Sequence, residues 1–338
     1  TYRHINLSEW DNKRLAFLPL AIECDHGKKV AITEADLMNY PGMFLHNDNG
    51  SSSLKGVFAG CPAEIEQGGH NRLQGVVKSR EGYIARFDKG CAFPWRTLII
   101  SANDYELANN DMVYRLASAS DKTQDYSWVK PGKVAWDWWN DWNLYNVPFK
   151  TGVNNETYKY YIDFASSHGI QYVILDEGWA VNMKADLFQV VPEINLEELT
   201  AYAAKKNVGL ILWAGYWAFN RDMEKVCKHY SEMGIKGFKV DFMDRDDQAM
   251  VDFHHRAAQM TAKYKLMIDF HGTYKPTGLN RTYPNVINFE GVHGLEQLKW
   301  APGEIDQVTY DVTFPYIRML AGPVDYTQGA MRNGSKNN

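Results

Sequence analysis

Acidic residues, together with one histidine, repeatedly follow short apolar runs after residue 133 of this 338-residue sequence. They are Asp137 after Trp136, Asp176 and Glu177 before Gly178, Asp241 after Lys239 and Val240, His271 before Gly272, and Glu290, with Glu296 shortly beyond. A single acidic residue in a loop usually serves solubility, which is how we interpret Asp244, Asp246 and Asp247. Repetition at the ends of successive runs indicates instead that carboxylates converge on one place.

Converging carboxylates beside flat aromatic rings are typical of sites that cleave glycosidic bonds. An oxocarbenium-like transition state needs one carboxylate below the sugar ring and an acid beside the leaving oxygen. The sequence supplies the rings, with 11 Trp and 20 Tyr, although core packing competes with sugar stacking as the role of each one. It contains no phosphate-binding Gly-x-x-x-x-Gly-Lys loop and no His-Glu-x-x-His zinc motif. A serine nucleophile stays open, but no Gly-x-Ser-x-Gly elbow presents one.

A fold that gathers these residues is indicated by the alternation of strands and helices after residue 133. Strand signals lie at 134–139, 170–175, 208–213, 235–241, 265–270, 286–289 and 322–325, and helical stretches at 155–168, 196–206, 222–233 and 246–263. This alternation predicts an α/β fold in which a parallel sheet is covered by helices, and eight such units close into a (β/α)8 barrel of the TIM type. A doubly wound sheet is the alternative, but no Gly-x-Gly-x-x-Gly follows the first strand. Active sites of such barrels lie at the carboxyl ends of the strands.

The first part of the chain has a different pattern. Short runs of β-forming residues at 15–22, 30–33, 56–58, 82–87 and 97–101 are separated by turn residues, which predicts a mostly β region. A loose stretch around Ser118 to Ser120, followed by Lys130, Pro131 and Gly132, marks the boundary with the barrel.

Composition excludes several classes of function. The net charge is −5 and no basic tract is present, so nucleic acid is not an expected partner. The apolar runs are far shorter than the roughly 20 residues that cross a bilayer. The four cysteines form no C-x-x-C pair and leave the compartment undecided. Since the chain starts without methionine and ends in a polar run at 333–338, we expect it to be a fragment.

Several motifs together resemble glycoside hydrolase family 97, over nearly the whole chain. They are the segments 130–139, 173–179, 237–242 and 288–296. The resemblance continues upstream at 32–43 and downstream at 322–331. The resemblance implies a partial N-terminal β-sandwich with its linker over residues 1–127, followed by a catalytic (β/α)8 barrel over 128–338. It also implies that this barrel is truncated before its eighth strand, and that the start of the sandwich and a small C-terminal β domain are missing.

The resemblance further implies a retaining, exo-acting α-galactosidase. Retaining members of the family carry an aspartate nucleophile at the position of Asp241, and Glu296 matches their general acid/base. The inverting α-glucosidase branch has a glutamate base where this chain has Gly272. Retention places the two carboxyl groups about 5 to 5.5 Å apart, and the acid must have a raised pKa. An inverting α-glucosidase and a non-catalytic galactoside-binding protein are the alternatives.

Calcium, substrate contacts and location are implied in the same way. Glu290, Glu296 and, from the sandwich, Glu34 resemble the family's ligands for Ca²⁺, a hard cation that prefers carboxylate oxygens. Residues expected to bind a galactoside or oligosaccharide are Asp176 and Lys239, then Glu177, Trp213 and His271. Related bacterial proteins are exported, so a periplasmic or secreted location is expected. The oligomeric state stays open, and we expect His254 and His255 to lie on the surface.

Overall fold

The computed structural model describes residues 2–48, 50–300 and 305–328. The strands are β1 (Leu20–Glu23), β2 (Lys29–Ala35), β3 (Met43–His46), β4 (Lys55–Phe58), β5 (Pro62–Gly68), β6 (Gln74–Arg80), β7 (Trp95–Ser101), β8 (Val134–Trp136), β9 (Tyr172–Leu175), β10 (Gly209–Gly215), β11 (Gly237–Asp241), β12 (Met267–Phe270) and β13 (Val286–Phe289). The α-helices are α1 (Asp104–Ala108), α2 (Met112–Leu116), α3 (Asn155–Ser167), α4 (Leu196–Lys205), α5 (Tyr216–Arg221), α6 (Met223–Met233), α7 (Gln248–Lys263), α8 (Leu279–Thr282) and α9 (Gln307–Thr313). In these residues no helix is long and apolar enough to cross a membrane.

Strands β8 to β13 form one parallel sheet, in which every strand pairs with its neighbours in the sequence. All four residues of β9 are buried, because helices cover one face and the other faces the barrel interior. Helices α3, α4 and α7 begin after Asn154, Asn195 and Asp247, whose side chains accept hydrogen bonds from the first turn. In the described residues, this curled, six-stranded parallel sheet confirms the predicted (β/α) fold class.

The predicted seventh strand does not form. Residues 322–325 run beside β13 with one backbone contact, in which Asp325 N–H donates to the carbonyl of Phe289 at 2.8 Å. Gly322 has a φ of 138°, which turns the chain, and Pro323 has no N–H to donate. The rest of the motif, residues 329–331, and the polar run 333–338 lie outside the described residues.

The N-terminal part is built from antiparallel strands, as its sequence pattern predicts. Strands β1, β2 and β7 form one sheet, and β3–β4 and β5–β6 form two hairpins. The inner face of the three-stranded sheet packs Ala31 and Ile99 against Leu107 of α1 and Leu320. The strand predicted at 82–87 is irregular in the structure, whereas β3, β5 and β6 were not predicted. The domain boundary at residue 127 stays a prediction.

Three interpretations of polar residues were wrong. Asp246 and Asp247 are buried, and Asp247 caps α7 while pairing with Arg245 at 3.1 Å. His254 is also buried, since its ring nitrogens contact the carbonyl of Met250 and the hydroxyl of Thr273 inside the helix layer. Asp247 thus has a charged partner and a helix N-terminus in place of water, and His254 has a helix carbonyl and a hydroxyl.

Candidate active site

A buried ion pair connects the ends of β9 and β11. Nζ of Lys239 donates to Oδ2 of Asp176 at 2.8 Å, and both side chains are almost fully buried. Trp136, from the end of β8, donates its Nε1–H to the same oxygen at 2.5 Å. The ammonium of Lys239 lies over the ring of Trp136, 4.2 Å from the ring centroid. Burial acts to lower the pKa of Lys239, but Asp176, Asp241 and Glu296 outweigh it and raise the pKa, so the lysine stays charged. The structure thus brings two predicted substrate-binding residues together.

Asp137 lies behind this pair and was not assigned a role from the sequence. It is fully buried and accepts hydrogen bonds from the Tyr158 hydroxyl at 2.7 Å, from Trp142 Nε1 at 2.8 Å and from Asp176 N–H at 3.2 Å. It therefore positions the backbone of Asp176. Its place at the end of the first barrel strand, among tryptophans, was the signal available in the sequence.

The predicted nucleophile, Asp241, ends strand β11 and contacts Trp213. Its Oδ2 accepts from Trp213 Nε1 at 3.1 Å, and its Oδ1 accepts from the N–H of Phe242 at 2.7 Å. Burial raises the pKa of Asp241, while the positive charges of His271 and Lys239 act against this shift. Trp213 is 5% exposed, so it is chiefly a wall of the site and a donor to Asp241.

Gly272 occupies a position where a side chain would collide with Asp241. Its φ is 50°, and a Cβ atom there would lie 2.7 Å from the N atom of Phe242 and 2.8 Å from Oδ1 of Asp241. Such distances are shorter than van der Waals contact, and the left-handed conformation also favours glycine. Asp241 and Gly272, the two sequence markers of the retaining branch, are therefore sterically linked. With this backbone, a glutamate side chain at residue 272 would occupy the space that Asp241 fills.

His271 is held by acidic groups on several sides. Its Nε2 lies 2.6 Å from Oδ2 of Asp325, and its Nδ1 lies 3.9 Å from Glu290. Burial and the charge of Lys239 disfavour the imidazolium, but Glu290, Asp325 and Asp269 outweigh them and raise the pKa of His271 to about 10. Sequence reasoning assigned Asp325 no role, although it is the last residue of the seventh strand signal, 322–325.

Glu296 lies on the 3₁₀ helix Leu295–Lys299 with its carboxyl group buried. Burial raises its pKa to about 7, with the negative charges of Glu290 and Asp241 adding to the rise and Lys239 and His271 opposing it. This is the direction predicted for a general acid. Glu290 is fixed by the N–H of Gly272, which donates to Oε2 at 2.7 Å.

Glu290 and Glu296 form, with His271, a group whose possible ligand atoms all lie within 4.8 Å of one another. Asp269, His271 and Asp325 form a second group of this kind. Two carboxylates fit a hard cation, which would complete its shell with other oxygen ligands.

Glu34 is not part of either group. Its carboxylate is fully buried, pairs with Lys275 and Arg96, and accepts from the N–H of Met43 at 3.1 Å. Two cations neutralise it in this arrangement, which argues against the predicted role of Glu34 as a metal ligand.

Both parts of the chain match models of one family. Residues 138–292 match Glycoside hydrolase 97, and residues 1–119 match Glycosyl-hydrolase 97 N-terminal. A Bacteroides thetaiotaomicron protein named "Retaining alpha-galactosidase" is 62% identical over 338 residues, which are 100% of this chain and 51% of that protein. A "Probable retaining alpha-galactosidase" of Streptomyces bingchenggensis is 28% identical over 258 residues, 74% of this chain and 38% of its own length.

Solved structures agree with this result. A glycoside hydrolase family 97 enzyme from Pseudoalteromonas sp. strain K8, in complex with acarbose, superposes with a TM-score of 0.77 at 26% identity. The match covers 94% of this chain and 50% of that one, and the chain spans about half the length of the relative from Bacteroides. On the strength of both domain matches and this shared fold, the chain belongs to glycoside hydrolase family 97.

Proposed function

We propose that the protein is a retaining, exo-acting α-galactosidase with Asp241 as nucleophile and Glu296 as acid/base. The observation that carries the proposal is the contact between Asp241 and the backbone position of Gly272, which leaves no room for the glutamate base of an inverting enzyme. The names of the two curated relatives support the same activity. Asp176 and Lys239, with Trp136 beneath them, are the groups that would hold sugar hydroxyls.

In the first step a carboxylate oxygen of Asp241 forms a bond to the anomeric carbon while the glycosidic C–O bond breaks. The carboxylic acid of Glu296 gives its proton to the departing oxygen, so the aglycone leaves as a neutral alcohol. In the second step the Glu296 carboxylate takes a proton from water. The water oxygen then displaces Asp241 and releases galactose with its α configuration retained.

The electrostatics of the site suit these roles. A pKa of about 7 keeps a substantial fraction of Glu296 protonated near neutrality, as a proton donor must be. Burial raises the pKa of Asp241 to about 6, with His271 and Lys239 opposing the rise, so near neutrality this carboxyl group is ionised to a greater extent than Glu296. The pKa values of the two buried carboxyl groups thus lie in the order that a nucleophile and a proton donor require.

We further propose that Glu290 and Glu296 contribute to a Ca²⁺ site. The ion would supply positive charge beside the leaving-group oxygen, and the carboxylate chemistry of the two residues fits it. Glu290 remains anchored to the N–H of Gly272 in the present arrangement.

The decisive experiment follows the anomeric product by NMR during hydrolysis of an aryl α-galactoside. We expect α-galactose to appear first, with the β-anomer growing only by mutarotation. Initial release of a β-anomer would exclude the proposal in favour of an inverting enzyme. Binding without turnover would identify a non-catalytic galactoside-binding protein. Trapping with a 2-deoxy-2-fluoro galactosyl donor, followed by peptide mass spectrometry, should place the label on Asp241.

A further inference from the structure

The tip of the β5–β6 hairpin, residues 68–74, reaches across the mouth of the barrel. The carbonyl of Leu73 accepts from the N–H of Trp217 at 2.8 Å. The side chain of Leu73 packs against Gly215, where a Cβ atom would lie 2.7 Å from Cβ of Leu73. The absence of a side chain at Gly215 thus lets an N-terminal hairpin approach the end of β10 directly.

Two polar side chains of this tip hold Glu177. Asn71 Nδ2 donates to Oε1 of Glu177 at 2.6 Å, and Nε2 of His70 lies 3.0 Å from Oε2. The ring of His70 also lies 5.0 Å, centroid to centroid, from that of Phe242, the residue after Asp241. The hairpin therefore joins the end of β9 to the end of β11 across the cleft.

Glu177 keeps acceptor capacity beyond its two contacts with the hairpin. A carboxylate has about four lone-pair sites, and the hairpin fills two of them. The neighbouring Asp176 accepts from Lys239, Trp136 and the N–H of Glu177, so about one of its sites stays open. The side chain of Glu177 is 20% exposed against 9% for Asp176. Of the two carboxylates, Glu177 is the one suited to a hydroxyl that projects far from the sugar ring.

The backbone of the tip is strained where these side chains project. Gly69, Asn71 and Arg72 have φ values of 68°, 45° and 62°. The left-handed region costs a non-glycine residue about 1 kcal/mol, and such conformations cluster at functional sites. The contacts with Glu177 and Trp217 support this shape together with hydrogen bonds inside the tip, such as that from His70 N–H to Oε1 of Gln74 at 2.8 Å.

We propose that the hairpin tip is a specificity element of the sugar pocket. His70 and Asn71 are positioning residues that fix Glu177, and Glu177 accepts a hydrogen bond from the primary hydroxyl on C6 of the galactosyl ring. The proposal rests on the α-galactosidase function proposed above and extends it to how the sugar is selected. The N-terminal part of the chain thereby takes part in recognition of the substrate.

Two glycosides that differ only at C6 test this idea. A 4-nitrophenyl β-L-arabinopyranoside has the ring of the corresponding α-D-galactoside without its hydroxymethyl group. In the full-length protein, His70→Ala and Asn71→Ala should lower kcat/KM for the galactoside about tenfold, mostly through KM, because a hydrogen bond to a charged group is weakened. The arabinopyranoside should change by less than about twofold, so the preference for galactoside falls.

Matched variants separate this effect from general damage. Asn71→Gln keeps the amide donor and should retain most of the preference, and Lys78→Ala removes an exposed ion pair with Glu66 in the same hairpin and should change neither substrate. Equal losses on both glycosides, or no loss on either, would overturn the proposal. If the wild type hydrolyses neither glycoside, the proposed function fails. The hairpin is then tested by calorimetric binding of D-galactose and L-arabinose to the same variants, where an unchanged preference rejects the inference.

Discussion

Lys239 and Asp176 are joined by a hydrogen bond of 2.8 Å although they lie 63 residues apart on different strands. Both side chains are almost fully buried, so each charge depends on the other for compensation. A buried pair of this kind adds little net stability compared with apolar residues, but its disruption leaves a charge without compensation.

Lys239→Met is therefore expected to lower the free energy of unfolding by about 3–5 kcal/mol, as measured by urea denaturation at neutral pH. The double variant with Asp176→Asn should recover part of that loss, because the uncompensated carboxylate is removed. Additive losses in the double-mutant cycle would show that the two residues are not coupled.

The proposed role of Asp241 as nucleophile is tested by Asp241→Gly. We expect turnover of aryl galactosides to be abolished, since no carboxylate remains to form the ester. Azide should restore part of the rate by entering the vacated space, and the product should be β-galactosyl azide, because only one displacement occurs. Unchanged activity of this variant would remove Asp241 from the mechanism.

Glu296→Gln should show a dependence on the leaving group. Hydrolysis of galactosides with sugar or alkyl aglycones should fall by a factor of about 10² to 10⁴, which is the usual contribution of acid–base catalysis. With a 2,4-dinitrophenyl aglycone, which leaves without a proton, the first step should be nearly unaffected. Azide should then give the α-galactosyl azide, the opposite anomer from that of the Asp241 variant. The same anomer from both variants would contradict the assignment of the two roles.

The proposed calcium site can be tested without an activity assay, by measuring the calcium bound to the protein. Elemental analysis should find calcium in the purified protein, and Glu290→Gln should lower its content and the midpoint of thermal unfolding in calcium buffer. Glu34→Gln should leave the calcium content unchanged, because Lys275 and Arg96 already occupy that carboxylate. Equal loss of calcium in both variants would reinstate Glu34 as a ligand.

Acid stability should depend on His254. Burial lowers the pKa of this histidine from 6.5 to about 4, so the folded protein keeps it neutral where the unfolded chain binds a proton. The contribution of His254 to the free energy of unfolding is fully present above about pH 6.5. It declines as the pH falls toward 4, because the unfolded chain gains a proton, and is about 2 kcal/mol lower at pH 5. His254→Gln should weaken this loss between pH 7.5 and pH 5 in urea titrations, whereas His4→Gln, at an exposed position, should not. Parallel curves for all three proteins would refute the prediction.

Local patterns were sufficient to predict the six strands of the parallel sheet, because each is a short apolar run and several lead into an amphipathic helix with a side-chain cap. They also placed Asp176, Lys239, Asp241 and Glu296 near strand ends, where the topology itself brings side chains together. The failures involve long-range contacts. Nothing near Glu177 in the sequence indicates His70, which is 107 residues away. The burial of His254 and Asp247 depends likewise on which surface their helix presents to the rest of the fold.

Glu34 on β2 and Lys275 after β12 share one buried charge pair across the two halves of the chain. A barrel excised from its N-terminal partner would retain the ammonium of Lys275 without its counterion, and the partner would retain Glu34 with Arg96 alone. If the two halves were expressed separately, each would therefore keep a poorly compensated buried charge and would also lose apolar contacts with the other. Evolutionary exchange of either half for an unrelated module would require that both members of this pair change together.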